Sequence, residues 1–273
     1  MAVLNVTPDS FFDGGQHDQD ETAKKRIDVL LAEGAEVIDI GAESTRPGAP
    51  AIAAPEQIER AASAISYAVN KGALVSIDTT LPAVAEAALQ LGARVINDVS
   101  CLADPGLAEL AIKYDADLII MHSRGSMTHM EAFSVYDEHA YQDVVAEVCQ
   151  EWSAARERAL KLGLPSDRIW FDPGLGFHKS AQHSQTLLNR LEETLVLGAE
   201  LVIGASRKSF IGALDGSTAD RRLGGTIAAC LRAVDAGARL LRVHDPYEVR
   251  QALLARHAFQ RGQRPEGVAY GVA

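Results

Sequence analysis

Eight short runs of aliphatic and β-branched residues recur along the chain, and each of them ends in polar residues. The runs cover residues 2–6, 37–41, 74–78, 95–98, 118–121, 169–172, 201–204 and 240–243. Apolar positions within each run follow one another instead of alternating with polar ones, which is typical of parallel strands covered on both faces. The pattern therefore predicts eight buried, parallel β-strands.

An amphipathic segment follows each predicted strand. The predicted helices cover residues 21–33, 55–71, 82–91, 105–114, 139–162, 183–197, 221–236 and 246–259. Several begin with proline and several are followed by glycine, as helices commonly start and stop. Regular strand–helix units without a linker favour a single (β/α)8 TIM barrel of the α/β class over the alternative, a doubly wound open sheet.

The chain length of 273 residues suits one such barrel, since this fold typically takes about 250 residues. We expect the barrel to occupy residues 1–262 and a flexible tail to occupy residues 263–273. The connections after the first two strands, 7–20 and 41–54, are long for this fold. We expect both to be mobile loops that cover a site.

Composition and charge exclude several classes of protein. The net charge of −11 argues against binding to nucleic acid or to an anionic membrane. No apolar run approaches the ~20 residues that cross a bilayer. The cysteines Cys101, Cys149 and Cys230 are far apart and form no CxxC pair, which favours free thiols in a reducing cytoplasm over a disulfide framework.

The polar residues at the strand ends are the candidate functional groups, because the carboxyl ends of barrel strands share the face where barrel enzymes bind substrates. Asp104 and Asp245 precede prolines that begin predicted helices, so helix capping accounts for both. Asp172 is followed by a turn-rich loop instead of a helix, which favours a functional role for it.

Two kinds of ligand fit the remaining strand-end groups. A flat, nitrogen-rich heterocycle has an N–H edge that carboxylates accept and a carbonyl that amides or lysines contact, and the candidates for it are Asp78, Asn97, Asp172 and Lys208. An anion suits Arg46, Arg242 and His244. Asn5 could offer its carbonyl oxygen to Mg²⁺ beside diphosphate oxygens. The histidines at 122, 129 and 139 show no metal-ligand spacing.

Seven stretches of sequence carry a family resemblance. They are LNVTPDSFFDGG (4–15), IDIGAESTRPGA (38–49), VSIDT (75–79), INDV (96–99), DPGLGF (172–177), GASRKSFIG (204–212) and RVHD (242–245). In this order they resemble the dihydropteroate synthase family, and the similarity runs from residue 1 to about residue 259.

The resemblance implies a homodimeric, Mg²⁺-dependent transferase of folate biosynthesis, the target of sulfonamides. Such an enzyme joins 6-hydroxymethyl-7,8-dihydropterin diphosphate to p-aminobenzoate, and the diphosphate leaves before the arylamine attacks. The resemblance assigns the pterin to Asp78, Asn97, Asp172 and Lys208 with Met121 as an apolar wall, the diphosphate and Mg²⁺ to Asn5, Arg242 and His244, and the p-aminobenzoate side to Thr45, Arg46, Phe177 and Ser206. The catalytic residues that the resemblance implies are Asp78, Asp172, Lys208, Arg242 and His244.

The chain departs from the family pattern at four points. Met1 lies at the first strand, where a short leader is usual, so we expect a less covered barrel bottom. Phe12 stands where serine is common, Cys101 where glycine or a polar residue is frequent, and His178 in place of a small residue. We expect Phe12 and His178 to alter the p-aminobenzoate side and the response to sulfonamides, in a direction that the sequence leaves open.

Two other functions stay open on the sequence. A methyltransferase of the methyltetrahydrofolate–corrinoid type shares the pterin slot but needs no diphosphate site, and residues 206–208 and 242–244 argue against it. A paralogue that binds pterin without turnover is the second, and the presence of Asn5, Arg46, Lys208 and His244 argues against that.

Overall fold

A computed structural model describes residues 1–7, 16–43, 51–125 and 132–261 of the chain. The strands are β1 (Ala2–Asn5), β2 (Val37–Gly41), β3 (Leu74–Asp78), β4 (Val95–Asp98), β5 (Asp117–Met121), β6 (Ile169–Asp172), β7 (Glu200–Ile203) and β8 (Leu240–Leu241). The helices are α1 (Gln16–Ala32), α2 (Ala54–Asn70), α3 (Pro82–Gln90), α4 (Gly106–Lys113), α5 (Val144–Leu162), α6 (Ala181–Asn189), α7 (Ser209–Gly212), α8 (Leu223–Asp235) and α9 (Pro246–Arg261). Short 3₁₀ turns cover Ser166–Arg168, Leu191–Leu197 and Ala219–Arg221.

The sheet closes on itself in chain order. Each strand pairs in parallel with the next one, from β1 through to β8. The two ends meet where Ala2 bridges Val243, and Val3 N donates to the Val243 carbonyl oxygen over 2.9 Å. This ring confirms the predicted TIM barrel and excludes the doubly wound sheet.

Strand register brings the strand-end residues to one face of the barrel interior. Ile119 of β5 and Trp170 of β6 are register partners and belong to an apolar cluster inside the ring. Side chains alternate along a strand, so Met121 and Asp172, two residues further on and also partners, face the same interior. The barrel interior is therefore apolar at the level of Ile119 and Trp170. It becomes polar at the carboxyl ends of the strands, where Asp172 lies, and this end is the mouth of the barrel.

The helices cover the outside of the ring. Trp152 of α5 is fully buried, packs edge-on against Phe171 of β6 at 4.9 Å, and donates its indole N–H to the Ile120 carbonyl over 2.9 Å. Burying a large apolar side chain stabilises a fold by about 2–3 kcal/mol. This contact fixes α5 against the strands that carry Met121 and Asp172.

Several helix boundaries differ from the predicted ones. The helix predicted over 139–162 begins only at Val144, because the Asp143 carboxylate accepts from the backbone N–H groups of Val145 and Ala146 and caps it there. The helix predicted over 183–197 is a shorter α6 followed by a 3₁₀ turn. It begins early because Ser180 and His183 form a capping box, a role in which Glu or Gln is the usual partner.

Parts of the expected covers and tail lie outside the described residues. These are residues 8–15, 44–50 and 262–273, so their predicted mobility stays a prediction. Within the described ranges, no helix is both long and apolar enough to cross a membrane.

Candidate active site

Three predicted site residues from different strand ends converge around Gly204, which follows β7. A β carbon on Gly204 would lie 3.7 Å from Asp172 Oδ2, 3.8 Å from Lys208 Nζ and 3.9 Å from Arg242 Cβ. Glycine therefore leaves open a small space that a carboxylate, an ammonium group and an arginine stem surround. A concave space with a few convergent polar groups is the usual form of a small-molecule site.

Arg242 forms two ion pairs across the mouth of the barrel. Its Nε donates to Asp39 Oδ2 and its Nη2 donates to Asp78 Oδ2, each over 2.6 Å. Asn97 Nδ2 donates to the same Asp39 oxygen over 3.1 Å. Asp78, Asn97 and Arg242, which the sequence predicted as site residues, thus belong to one network that joins β2, β3, β4 and the end of β8.

Burial shifts the pKa values of the charged groups in this part of the site. It raises the pKa of Asp78 to about 7, although the Arg242 charge opposes the shift. It also raises the pKa of Asp172, against the nearby Lys208 charge and a hydrogen bond from Gly174 N. The pKa of Lys208 falls to about 8 for the same reason, burial. Groups that titrate near neutral pH in a cleft are typical of functional sites.

An apolar wall lies beside these charges. Met121, Val99 and Phe177 form one buried cluster with Phe133 packed against it, and the Phe177 and Phe133 rings meet edge-on at 5.2 Å. Lys208 Nζ lies 4.4 Å from the centre of the Phe177 ring. Met121 and Phe177, assigned to different substrates by the resemblance, therefore form one continuous surface.

His244 and Ser206 form a polar pair near the end of β8. Ser206 Oγ accepts from the His244 backbone N–H over 3.2 Å and lies 2.9 Å from His244 Nδ1. Burial lowers the pKa of His244 to about 4, so the ring is neutral at pH 7. The Ser206 hydroxyl can donate its proton to Nδ1, and in that arrangement the ring proton is on Nε2. Ser206, expected on the p-aminobenzoate side, thus contacts a residue assigned to the diphosphate.

Asp245, predicted as a helix cap, forms an ion pair with Arg207. Its carboxylate accepts from Arg207 Nε over 2.9 Å and also from Arg207 Nη2. Arg207 has a positive φ of 57°, and Thr226 Oγ1 accepts from its backbone N–H over 2.9 Å. These contacts hold the turn that carries Lys208. Asp104, also predicted as a cap, accepts from Gly106 N over 2.8 Å, but α4 begins one residue later than predicted and its cap position is Pro105.

Asn5 is exposed at the end of β1, and its Oδ1 lies 3.4 Å from the position that a β carbon on Gly41 would take. In the described part of the chain, no group of three or more His, Cys, Asp or Glu side chains could hold a metal ion. Mg²⁺ keeps several waters and takes only one or two protein ligands when phosphates supply the others. One amide oxygen at the mouth therefore fits an ion that arrives with a diphosphate.

A second buried network, which the sequence did not predict, surrounds Lys179. Lys179 is fully buried, and its Nζ donates to His122 Nδ1 over 2.9 Å and to the Phe177 carbonyl over 3.1 Å. His122 Nε2 lies 2.9 Å from Glu151 Oε2, which also accepts from Arg124 Nε over 3.0 Å. Burial lowers the pKa of Lys179 to about 7 and that of His122 to about 4. The network ties the loop that carries Phe177 to β5 and α5.

Asp39 was also missed, although the sequence carried a signal for it. It is the one carboxylate within the apolar run 37–41 and is fully buried. A buried charge needs a partner, so a carboxylate in the middle of a buried strand implies a cation from another element. Arg242 is that cation.

Two departures from the family pattern have a backbone explanation. Cys101 has φ 60° and His178 has φ 46°, the left-handed region that glycine adopts without strain. Glycine is therefore the residue that the backbone favours at both positions. Thr45, Arg46 and Phe12 lie outside the described residues. Glu43, just before one of these segments, accepts from Ile52 N over 2.9 Å and so joins the two ends of that loop.

Comparison with known proteins agrees with this geometry. The family model described as pterin binding enzyme matches residues 1–244. The dihydropteroate synthase of Streptococcus pyogenes is 41% identical over 249 residues, which cover 90% of this chain and 89% of that protein. The Xanthomonas albilineans dihydropteroate synthase solved with 4-aminobenzoic acid has a TM-score of 0.88 at 38% identity, covering 96% of this chain and 92% of that one. Its structure with 7,8-dihydropteroate has a TM-score of 0.84 at 35% identity, covering 96% and 93%.

The chain belongs to the family of pterin-binding enzymes. Within that family it is a transferase of the dihydropteroate synthase group. This agrees with the resemblance carried by the seven sequence stretches and sets aside the methyltransferase alternative.

Proposed function

We propose that the mouth of this barrel joins 6-hydroxymethyl-7,8-dihydropterin diphosphate to p-aminobenzoate and releases pyrophosphate. The observation that carries the proposal is the convergence of Asp172, Lys208 and Arg242 around Gly204. The ligands named in the two Xanthomonas albilineans structures support the choice of substrates.

The pterin ring lies in the space beside Gly204. Asp172 accepts from the N–H edge of the ring, and Lys208 donates to a ring nitrogen or to the carbonyl oxygen. Asn97 supplies a further polar contact. Met121, buried in the wall beside Phe177, covers one face of the ring.

The diphosphate lies towards Arg242 and His244. Two nitrogens of Arg242 are held by carboxylates, and the third, Nη1, donates to the diphosphate. The neutral His244 ring donates from Nε2. Preorganised donors aimed at developing charge are commonly the largest source of catalysis.

The bond between the exocyclic methylene carbon and the diphosphate oxygen breaks first, and its electron pair leaves with the diphosphate. The positive charge spreads over the pterin ring, where Asp78 stabilises it. The arylamine of p-aminobenzoate is neutral at pH 7, so it attacks the carbon without a strong base. It then loses its proton to solvent. Phe177 and Ser206 lie on the p-aminobenzoate side, and we propose, on the resemblance alone, that Thr45 and Arg46 also contact that substrate.

Asn5 is the residue that would hold Mg²⁺, together with diphosphate oxygens. When bound, the ion offsets the negative charge of the leaving group. The residues of the chain perform the remaining tasks, which are to orient the ring, bind the diphosphate and exclude water.

We also propose a homodimer in the cytoplasm. The late elements of the barrel expose Val196 (84%) and Leu214 (72%), and apolar side chains this exposed are suited to burial against a second copy. Three free cysteines fit a reducing compartment. Sedimentation of wild-type protein and of Val196→Asp tests the dimer.

The product assay tests the function. Protein, Mg²⁺, pterin diphosphate and p-aminobenzoate are mixed, and dihydropteroate is separated by chromatography while pyrophosphate is measured in parallel. We expect equal amounts of both products. Pterin binding by calorimetry without any product would instead indicate a paralogue that binds pterin and does not turn over.

A further inference from the structure

Asp39 lies in the Arg242 network but has no role in the reaction proposed above. Its side chain is fully buried in β2, and its Oδ2 accepts from both Arg242 Nε and Asn97 Nδ2. Its Oδ1 is buried and has no hydrogen-bond partner among the residues that the structure describes. A buried carboxylate with one unpaired oxygen is costly for folding, which is the pattern expected where a residue serves function.

We propose that Asp39 is a positioning residue that fixes the Arg242 guanidinium, so that Nη1 points at the leaving diphosphate. This inference rests on the proposed function. The guanidinium is a rigid plane with five N–H donors. Because Nε is held by Asp39 and Nη2 by Asp78, rotation and tilting of the plane are restricted, and the third nitrogen points away from both carboxylates.

Asp39 and Arg242 also act on Asp78 in opposite directions. Burial is the main cause that raises the pKa of Asp78, while Arg242 lowers it and Asp39 raises it further. The charged groups whose fields couple to Asp78 lie on or just after β2, β4, β7 and β8, and they are Asp39, Glu43, Asp98, Arg242 and Lys208. Neutralising Asp39 should therefore move the ionisation of Asp78 to lower pH, and neutralising Arg242 should move it to higher pH.

The first experiment compares Asp39→Asn with a matched control, Ser76→Ala. Ser76 is fully buried on β3 and is the register partner of Asp39. Removal of a residue that orients a functional group typically costs about 10- to 100-fold. We expect a loss of that size in kcat for Asp39→Asn with little change in the KM for p-aminobenzoate, and a kcat within about twofold of wild type for Ser76→Ala.

The pH profile separates positioning from loosened packing. We expect the acid limb of kcat/KM to move to lower pH in Asp39→Asn and to higher pH in Arg242→Gln. An unmoved acid limb in Asp39→Asn, or a kcat no lower than that of Ser76→Ala, would overturn the inference.

Thermal unfolding supplies a test that needs no turnover. Arg242→Gln leaves the Asp39 carboxylate buried without its cation, whereas Asp39→Asn/Arg242→Gln removes both charges. We expect the double variant to melt above Arg242→Gln. A double variant that melts at or below Arg242→Gln contradicts the coupling. Absence of dihydropteroate from wild-type protein, by contrast, would overturn the proposed function and leave this melting comparison valid.

Discussion

Replacing Lys179 with methionine should flatten the rise in stability between pH 7 and pH 9. Lys179 is fully buried, and burial lowers its pKa to about 7 from an ordinary value of 10.5. Above pH 10.5 the side chain is neutral in both the folded and the unfolded chain. As the pH falls towards 7, Lys179 becomes protonated in the unfolded chain but stays neutral in the folded chain, so the folded state loses stability.

The magnitude follows from the width of this window. Each pH unit within it is worth up to about 1.4 kcal/mol, so Lys179 contributes a rise of up to about 3 kcal/mol between pH 7 and pH 9. Lys208, whose pKa burial lowers to about 8, adds to the same rise. Methionine is similar in length and uncharged. The variant should therefore lose the part of this rise in stability that Lys179 contributes and keep the part that Lys208 contributes.

Urea unfolding at pH 7, 8 and 9 measures the effect, since a constant slope against denaturant shows that only stability has changed. Lys161→Met, at an exposed position in the last turn of α5, is the control and should keep the wild-type pH dependence. If Lys179→Met and wild type gain the same free energy of unfolding between pH 7 and pH 9, the burial argument for Lys179 is refuted.

Four other perturbations have defined outcomes. Lys208→Met removes a charged donor to the pterin and should lower kcat/KM by about 10- to 100-fold, and unchanged steady-state kinetics would contradict that role. Gly174→Ala should cost more than about 3 kcal/mol in urea unfolding, because Gly174 has φ 68° and a β carbon there would overlap the His122 carbonyl oxygen; wild-type stability would show that this loop adjusts. Cys101→Gly should raise the free energy of unfolding by about 1 kcal/mol, because it relieves a positive φ. No gain in the same urea titration would show that packing of the Cys101 thiol outweighs this backbone strain. Removal of Mg²⁺ with EDTA should abolish product formation until Mg²⁺ is restored, and activity that survives chelation would remove the ion from the reaction.

The fold could be predicted because its signals are local. Continuous apolar runs mark buried parallel strands, and the observed strands fall on the predicted runs, with β8 shortened to Leu240–Leu241. Strand-end residues could be grouped because parallel strands in a barrel point the same way. Asp78, Asn97 and Arg242 accordingly lie in one network, and Asp172 and Lys208 lie beside it.

The missed residues depend on contacts between distant parts of the chain. Lys179 and His122 are 57 positions apart, and no local pattern indicates that a lysine after a loop turns inward to a strand end. Asp39 lies within a strand, whereas the predicted site residues lie at the strand ends. The contact between Ser206 and His244 was likewise not predicted, because the resemblance grouped Ser206 with the p-aminobenzoate side and His244 with the diphosphate.

A crystal structure of the protein with unreacted pterin diphosphate, in the absence of p-aminobenzoate, measures most directly whether one pocket holds both halves of this substrate. We predict the N–H edge of the pterin at Asp172, with the diphosphate within hydrogen-bond distance of Arg242 Nη1 and His244 Nε2. A diphosphate bound away from both residues, or a pterin outside the space beside Gly204, would contradict the proposed site.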